Sequence, residues 1–186
     1  MTRAQIRHSA CALALVAGLA TTPLHAQQSA ASAQPAKIQA TLAADVTNLS
    51  DKFMGLARVM AGKYDWRPGQ GVRSVAEVFN LIVSENRMLN NVLTGTAGQG
   101  RGGGMGGATP VTDPAQLQTD LRSTYDTLRQ TIAGLSDADL NAPVRLFGRD
   151  TTKQGAILML FFDQHEHLGQ SIAYARSNAV VPPWSK

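Results

Sequence analysis

From Lys37 onward, Ile38, Leu42, Leu49, Phe53, Leu56 and Met60 recur at threes, fours and sevens, the spacing of a helix with one buried stripe. Gly62 is its expected stop. Pro68, Gly69 and Gly71 make Tyr64 to Arg73 a loop, and Ser74-Val75-Ala76-Glu77 has the spacing of a reciprocal capping box. The second helix starts there. Val78, Phe79, Ile82, Leu89 and Leu93 form its stripe, Leu81, Met88 and Val92 broaden it, and Thr94-Gly95 ends it. Asp113 with Pro114 opens a third helix, carried by Leu117, Leu121, Leu128 and Ile132 and closed near Gly134. Residues 135–150 contain Pro143 and Gly148 and read as a structured loop or short turn. Thr151-Thr152-Lys153-Gln154 caps a fourth helix running to about Ser177. Its segment Ile157 to Phe162 is apolar on all sides, which predicts burial at the centre of the fold.

Four helices without a convincing strand pattern predict an all-α four-helix bundle. Residues 95–113 form a flexible, glycine-rich connector between the second and third helices, far longer than an antiparallel neighbour requires. Those two helices are therefore expected to run parallel. The single RGG within the connector lacks aromatic interleaving and reads as linker rather than as an RNA contact. The stretch also lacks the Gly-Lys-Ser/Thr ending of a phosphate loop.

The N-terminus has a different character. Arg3 and Arg7 precede an apolar run from Cys11 to Ala20, and Leu24-His25-Ala26 offers a small-residue cleavage end, so residues 1–26 read as a secretory signal peptide. An uncleaved anchor is the alternative, because leucine is not the best residue at the third position before the cut. No lipobox precedes Cys11. Residues 27–36 are small, polar and unpatterned, a disordered tether leading to a domain at 37–186. The expected location is the periplasm or the exterior, with no membrane span after signal removal.

Cleavage would remove the chain's one cysteine and leave His165 and His167 as the sole imidazoles. Disulfides, cysteine nucleophiles and zinc-thiolate sites are then excluded by inventory. The formal charge would fall from +4 to +2, with 15 Lys+Arg against 13 Asp+Glu. Charge thus gives little reason to expect a nucleic-acid partner. About 160 residues remain, enough for one domain with one core.

Three segments carry a family resemblance: Lys63-Tyr64-Asp65-Trp66-Arg67-Pro68, then Val72 to Phe79, then His165-Glu166-His167-Leu168-Gly169-Gln170 with the ending Val180 to Ser185. In order and spacing they resemble the DinB superfamily, over essentially residues 37–186. The resemblance implies an up-down-down-up four-helix bundle, often dimeric, with a divalent metal on three histidines. One histidine comes from the second helix and two, four residues apart, from the fourth; characterised members include thiol-dependent transferases and hydrolases. Carried onto this chain, the three ligand positions fall on Leu81, Asp163 and His167. Only His167 matches outright. His165 is turned by about 200° from His167 along a helix and does not readily substitute.

Asp163 and His167 are accordingly the candidate metal ligands, completed by Glu85, one turn beyond Leu81, or by Glu166 and water. Oxygen-rich ligation would favour Mn, Fe or Mg over Zn, and the cofactor expectation spans Mn, Fe, Ni, Zn or none. The structural alternative is an Asp163–His167 hydrogen-bonded pair in a pocket that has lost its metal. His165 reads as a partly buried histidine at a helix contact or dimer seam. Gln170 and Tyr174 follow Asp163 and His167 along the same face, and Trp66 and Trp184 read as packing residues. Asp163, His167 and Ser171 all lie on one helix, which does not arrange a catalytic triad around a substrate.

Two functions follow. The favoured one is a bundle that binds a small molecule or a protein partner beside a degenerate metal site, since Leu81 makes that cavity more apolar. The alternative is a divalent-metal-dependent hydrolase or transferase using Asp163 and His167. A thiol transferase suits an exported protein poorly, because low-molecular-weight thiols belong to the reducing cytoplasm.

Overall fold

The computed structural model describes residues 37–96 and 110–185; the expected signal peptide, the tether and most of the glycine-rich connector lie outside them. The described part is mostly helical: α1 (Ile38–Val59), α2 (Val75–Thr94), α3 (Pro114–Ala133), the short α4 (Asp137–Asn141) and α5 (Lys153–Ser177). A 3-10 turn at Ala61–Lys63 follows α1. Between α4 and α5, β1 (Pro143–Leu146) and β2 (Arg149–Thr152) pair as an antiparallel hairpin with Leu146 opposite Arg149. Among the described residues, no helix is long and apolar enough to cross a membrane.

The helix starts are made by side chains that satisfy free backbone N–H groups. Ser74 accepts from the Glu77 amide at 3.2 Å while the Glu77 carboxylate accepts from the Ser74 amide at 2.6 Å, closing the reciprocal cap read from the sequence. That backbone bond, first of several causes, holds the Glu77 carboxyl below its ordinary range. Ser74→Ala should therefore lower stability by about 1 kcal/mol, measurable by urea unfolding; no change would mean the cap is dispensable. Asp113 accepts from the Gln116 amide at 2.7 Å ahead of Pro114. The cap of α5 is Thr152, bonded to the Gly155 amide at 3.1 Å, one residue later than the Thr151 start the capping pattern suggested.

The apolar stripes meet in one core. Leu49, Phe53 and Leu56 of α1, Phe79, Ile82 and Leu89 of α2, Leu121, Tyr125 and Leu128 of α3, and Ile157 and Leu160 of α5 are all essentially inaccessible to solvent. α1 and α2 each lie against both α3 and α5. The direction of each helix follows from paired contacts. Asn80 clamps the backbone of Val111 through its amide, donating at 2.9 Å and accepting at 3.0 Å; Asn86 meets Thr124 and Asn90 meets Thr131, in the same order on both helices. α2 and α3 thus run parallel, as expected from the connector length. Gln39 bonds Asp137 while Phe53 stacks on Tyr125, so α1 opposes α3. Arg73 meets Tyr174 while Asn86 meets Gln164, so α2 opposes α5.

Three expectations need correction. The 135–150 segment holds α4 and one strand of a hairpin that continues to Thr152, where only a loop or turn was read. Of the four residues of β1 only Leu146 is buried, and the turn is Phe147-Gly148 with both residues at positive φ, so neither alternation nor an Asn-Gly turn announces it. Second, 157–162 is not buried on all sides, because Phe162 is 66 % exposed and Leu158 and Met159 are only partly covered. Third, Ile38 is exposed rather than part of the buried stripe, which begins with Leu42.

Candidate metal centre

The antiparallel contact of α2 with α5 brings three donors together. Glu85 lies on the buried face of α2, and Asp163 and His167 lie one turn apart on α5. One ligand atom from each falls within 4.8 Å of the other two. Glu85 is thus the residue that completes the pair, as the alternative based on the turn after Leu81 anticipated. Glu166 is exposed on α5 and is not in the cluster. Leu81 is buried one turn before Glu85 yet stands outside the contiguous apolar core.

Glu85 is the unusual member. It is 1 % exposed, and neither carboxyl oxygen has a hydrogen-bond partner among the described residues. Burial first, and then the facing Asp163 carboxylate, push its carboxyl up to about 9, against a smaller opposing pull from Arg73. A buried acid held neutral by its surroundings loses solvation and gains little in return, which marks a site shaped for something besides stability.

Asp163 and His167 do not neutralise each other through a hydrogen bond. Their closest approach, His167 Nε2 to Asp163 Oδ2, is 3.7 Å, beyond hydrogen-bond range. The hydrogen-bonded pair expected as the structural alternative is therefore absent, and the ring bonds instead through Nδ1 to Gln170 Oε1 at 2.9 Å. Nε2 is left on the side of Asp163. Asp163 is about two-fifths exposed at its side chain and His167 much less, so the cluster is open on the Asp163 side.

The other candidates fall elsewhere. His165 Nε2 lies 3.1 Å from Asp45 Oδ2 on α1, a helix contact as expected, but it is exposed rather than partly buried. Ser171 donates to the His167 carbonyl at 2.8 Å, an ordinary bond one turn back along the helix. Trp66 packs edge-on against Tyr174 with ring centres 5.3 Å apart. Trp184 covers Gly55, where an added Cβ would lie 3.4 Å from its ring, with Lys52 Nζ 6.0 Å from the ring centre.

Two carboxylates and one imidazole suit a hard or borderline divalent ion such as Mn, Fe or Mg better than Zn, and three donors from two helices leave coordination positions open. The unpartnered Glu85 oxygens are the observation that fits the donor set to a cation.

The model of the DinB superfamily matches residues 46–171, a span that contains all three donors. No curated protein matches the chain. Among solved structures, a DinB-like protein from Bacillus subtilis has a TM-score of 0.61 at 15% identity, covering 75% of this chain and 92% of that one. A DinB-like protein from Bacillus cereus has a TM-score of 0.62 at 16% identity, with the same coverage of 75% and 92%. At such identities the likeness speaks for the fold, and the family match speaks for descent. With more than half of its length matched by the family model, and with that fold, this chain belongs to the DinB superfamily.

Proposed function

We propose that this protein is an exported, divalent-cation-dependent hydrolytic enzyme whose ligands are Glu85, Asp163 and His167. The observation that carries the proposal is the buried Glu85 carboxyl, unpartnered at both oxygens and within 4.8 Å of donor atoms of the other two. A bound cation at such a site acts as a Lewis acid and lowers the proton affinity of a coordinated water, the chemistry hydrolysis needs. The frame we propose for it is an up-down-down-up four-helix bundle. The parallel course of α2 and α3, with α1 and α5 opposed to them, supports that frame. Export rests on the signal-like residues 1–26 and favours hydrolysis over thiol transfer.

Metal content decides between this reading and a degenerate site. Protein purified without chelator or affinity tag is expected to carry, or to take up from Mn, Fe, Ni or Zn, one ion per chain, and His167→Ala is expected to lose it. No metal in either protein after reconstitution would end the proposal.

Small-molecule binding has one observation of its own. Cavities of about 300 and 460 Å³ lie where the start of α1 meets α4, lined in common by Lys37, Gln39 and Asp137 and by none of the three donors. A ligand held there would lie between α1 and α4 rather than in the cavity beside Leu81.

A further inference from the structure

His167 makes its outer bond through a chain of side chains that ends on the backbone. Its Nδ1 lies 2.9 Å from Gln170 Oε1, Gln170 Nε2 lies 2.8 Å from the Tyr174 hydroxyl, and that hydroxyl lies 3.1 Å from the Arg73 carbonyl. The polarity of the chain is set by its last member. A carbonyl oxygen has no proton to give, so Tyr174 must spend its single proton on Arg73 and can only accept from Gln170. The Gln170 amide must then present N–H to Tyr174 and oxygen to His167. An oxygen acceptor at Nδ1 requires a proton on Nδ1. The neutral ring consequently keeps its lone pair on Nε2, the nitrogen 3.7 Å from Asp163 Oδ2.

The alternative orientation fails on the same count. If the Gln170 amide were reversed, its N–H would point at a bare Nδ1 and its oxygen would claim the Tyr174 proton, leaving the Arg73 carbonyl without this donor. The Tyr174 side of the chain is held in place by packing: Tyr174 is buried, and Trp66 lies edge-on to its ring at 5.3 Å. The Arg73 carbonyl is in turn fixed by its position directly before the Ser74 cap of α2, the helix that carries Glu85.

We propose that Gln170 and Tyr174 are positioning residues, a relay hung from the Arg73 carbonyl that holds His167 with its proton on Nδ1 and its bare Nε2 toward Asp163. The consequence for a cation rests on the proposed function; the choice of tautomer does not. Outer-shell partners of this kind commonly change metal affinity by about 10–100-fold when removed.

The test reads the tautomer and the affinity separately. Nitrogen-15 spectra of the histidine side chains are recorded on chelator-treated protein at about pH 8, where an imidazole is ordinarily neutral, with the His167 signals assigned by their loss in His167→Asn. The wild type is expected to show a protonated Nδ1 and a bare Nε2. Gln170→Leu is expected to move His167 toward the opposite tautomer and to weaken Mn(II) binding, read by calorimetry, by about 10-fold or more. Tyr174→Phe should shift both in the same direction but less, and Gln170→Glu, which keeps an acceptor oxygen, should retain the Nδ1 proton. A wild-type ring protonated on Nε2, or a tautomer unchanged in folded Gln170→Leu, overturns the relay. If the tautomer behaves as stated while Mn(II) binds none of the proteins, the relay stands and the metal reading falls. If Mn(II) binds wild type and Gln170→Leu equally with no change of tautomer, the reverse holds.

Discussion

Glu85→Gln is expected to make the metal-free protein more stable by about 4 kcal/mol at about pH 7.5, and to abolish its affinity for a divalent ion. The sign follows from the direction of the shift. The folded carboxyl is raised from 4.5 to about 9. Below pH 4.5 it is neutral in the folded and unfolded chain alike, and it adds no pH dependence. Between pH 4.5 and about 9 the unfolded chain ionises Glu85 while the folded protein keeps it protonated, so stability falls as pH rises. The slope is about 1.4 kcal/mol per pH unit. Glutamine has nearly the same shape and no proton to lose, so the variant should lack this slope.

Saturating metal should close that gap. An ion at a thousandfold excess over its Kd adds about 4 kcal/mol to the wild type and nothing to a variant that cannot bind it. Because the carboxyl must shed its proton to ligate, metal affinity should also rise about tenfold per pH unit up to about pH 9. Urea unfolding of both proteins from pH 5 to 9, with chelator and with Mn(II), checks each part. A metal-free Glu85→Gln protein that is less stable than wild type would show that the carboxyl serves the fold.

The second large effect concerns a polar thread through the core. Tyr125 donates to Gln164 Oε1 at 3.0 Å, Gln164 Nε2 donates to Asn86 Oδ1 at 2.8 Å, and the Asn86 amide donates to Thr124 at 3.3 Å. Gln164 and Asn86 are completely buried and Tyr125 nearly so. Burial raises the Tyr125 hydroxyl well above its ordinary range, so it remains a neutral donor. Each partner is satisfied only because the others are in place.

Gln164→Leu should cost about 3 kcal/mol, since it strands both a hydroxyl and an amide oxygen away from water. Adding Tyr125→Phe should recover roughly half of that loss, because one stranded group is then gone. Thermal and urea unfolding of the single and double variants measure both numbers. A loss below about 1 kcal/mol, with no recovery in the double variant, would mean that water or neighbouring groups replace the lost bonds.

The helices were legible because their signals are local. Ser74 with Glu77, and Asp113 with Pro114, announce helix starts in adjacent residues, and stripes such as Leu42 to Met60 require only periodicity to be seen. The parallel course of α2 and α3 was legible too, through the length of chain between them. The hairpin at Pro143–Thr152 was not, because its strands bury a single leucine and turn on Phe147-Gly148. Phe162 misled for a related reason. Composition shows that a segment is apolar without showing which side of it has a neighbour.

For the site, the sequence by itself determined the donor types and the pairing of Asp163 with His167, since side chains four residues apart share a helix face whatever lies opposite. It also determined that no thiol would compete if residues 1–26 are removed. Only the tertiary structure decided that Glu85 on α2 meets that pair, that both of its oxygens are buried without partners, and that His167 bonds Gln170 rather than Asp163. The physical reason is range. Local spacing sets which residues lie on one face, but the register between two helices is set by packing along their whole length, and the proton affinity of a carboxyl is set by how much water that packing removes.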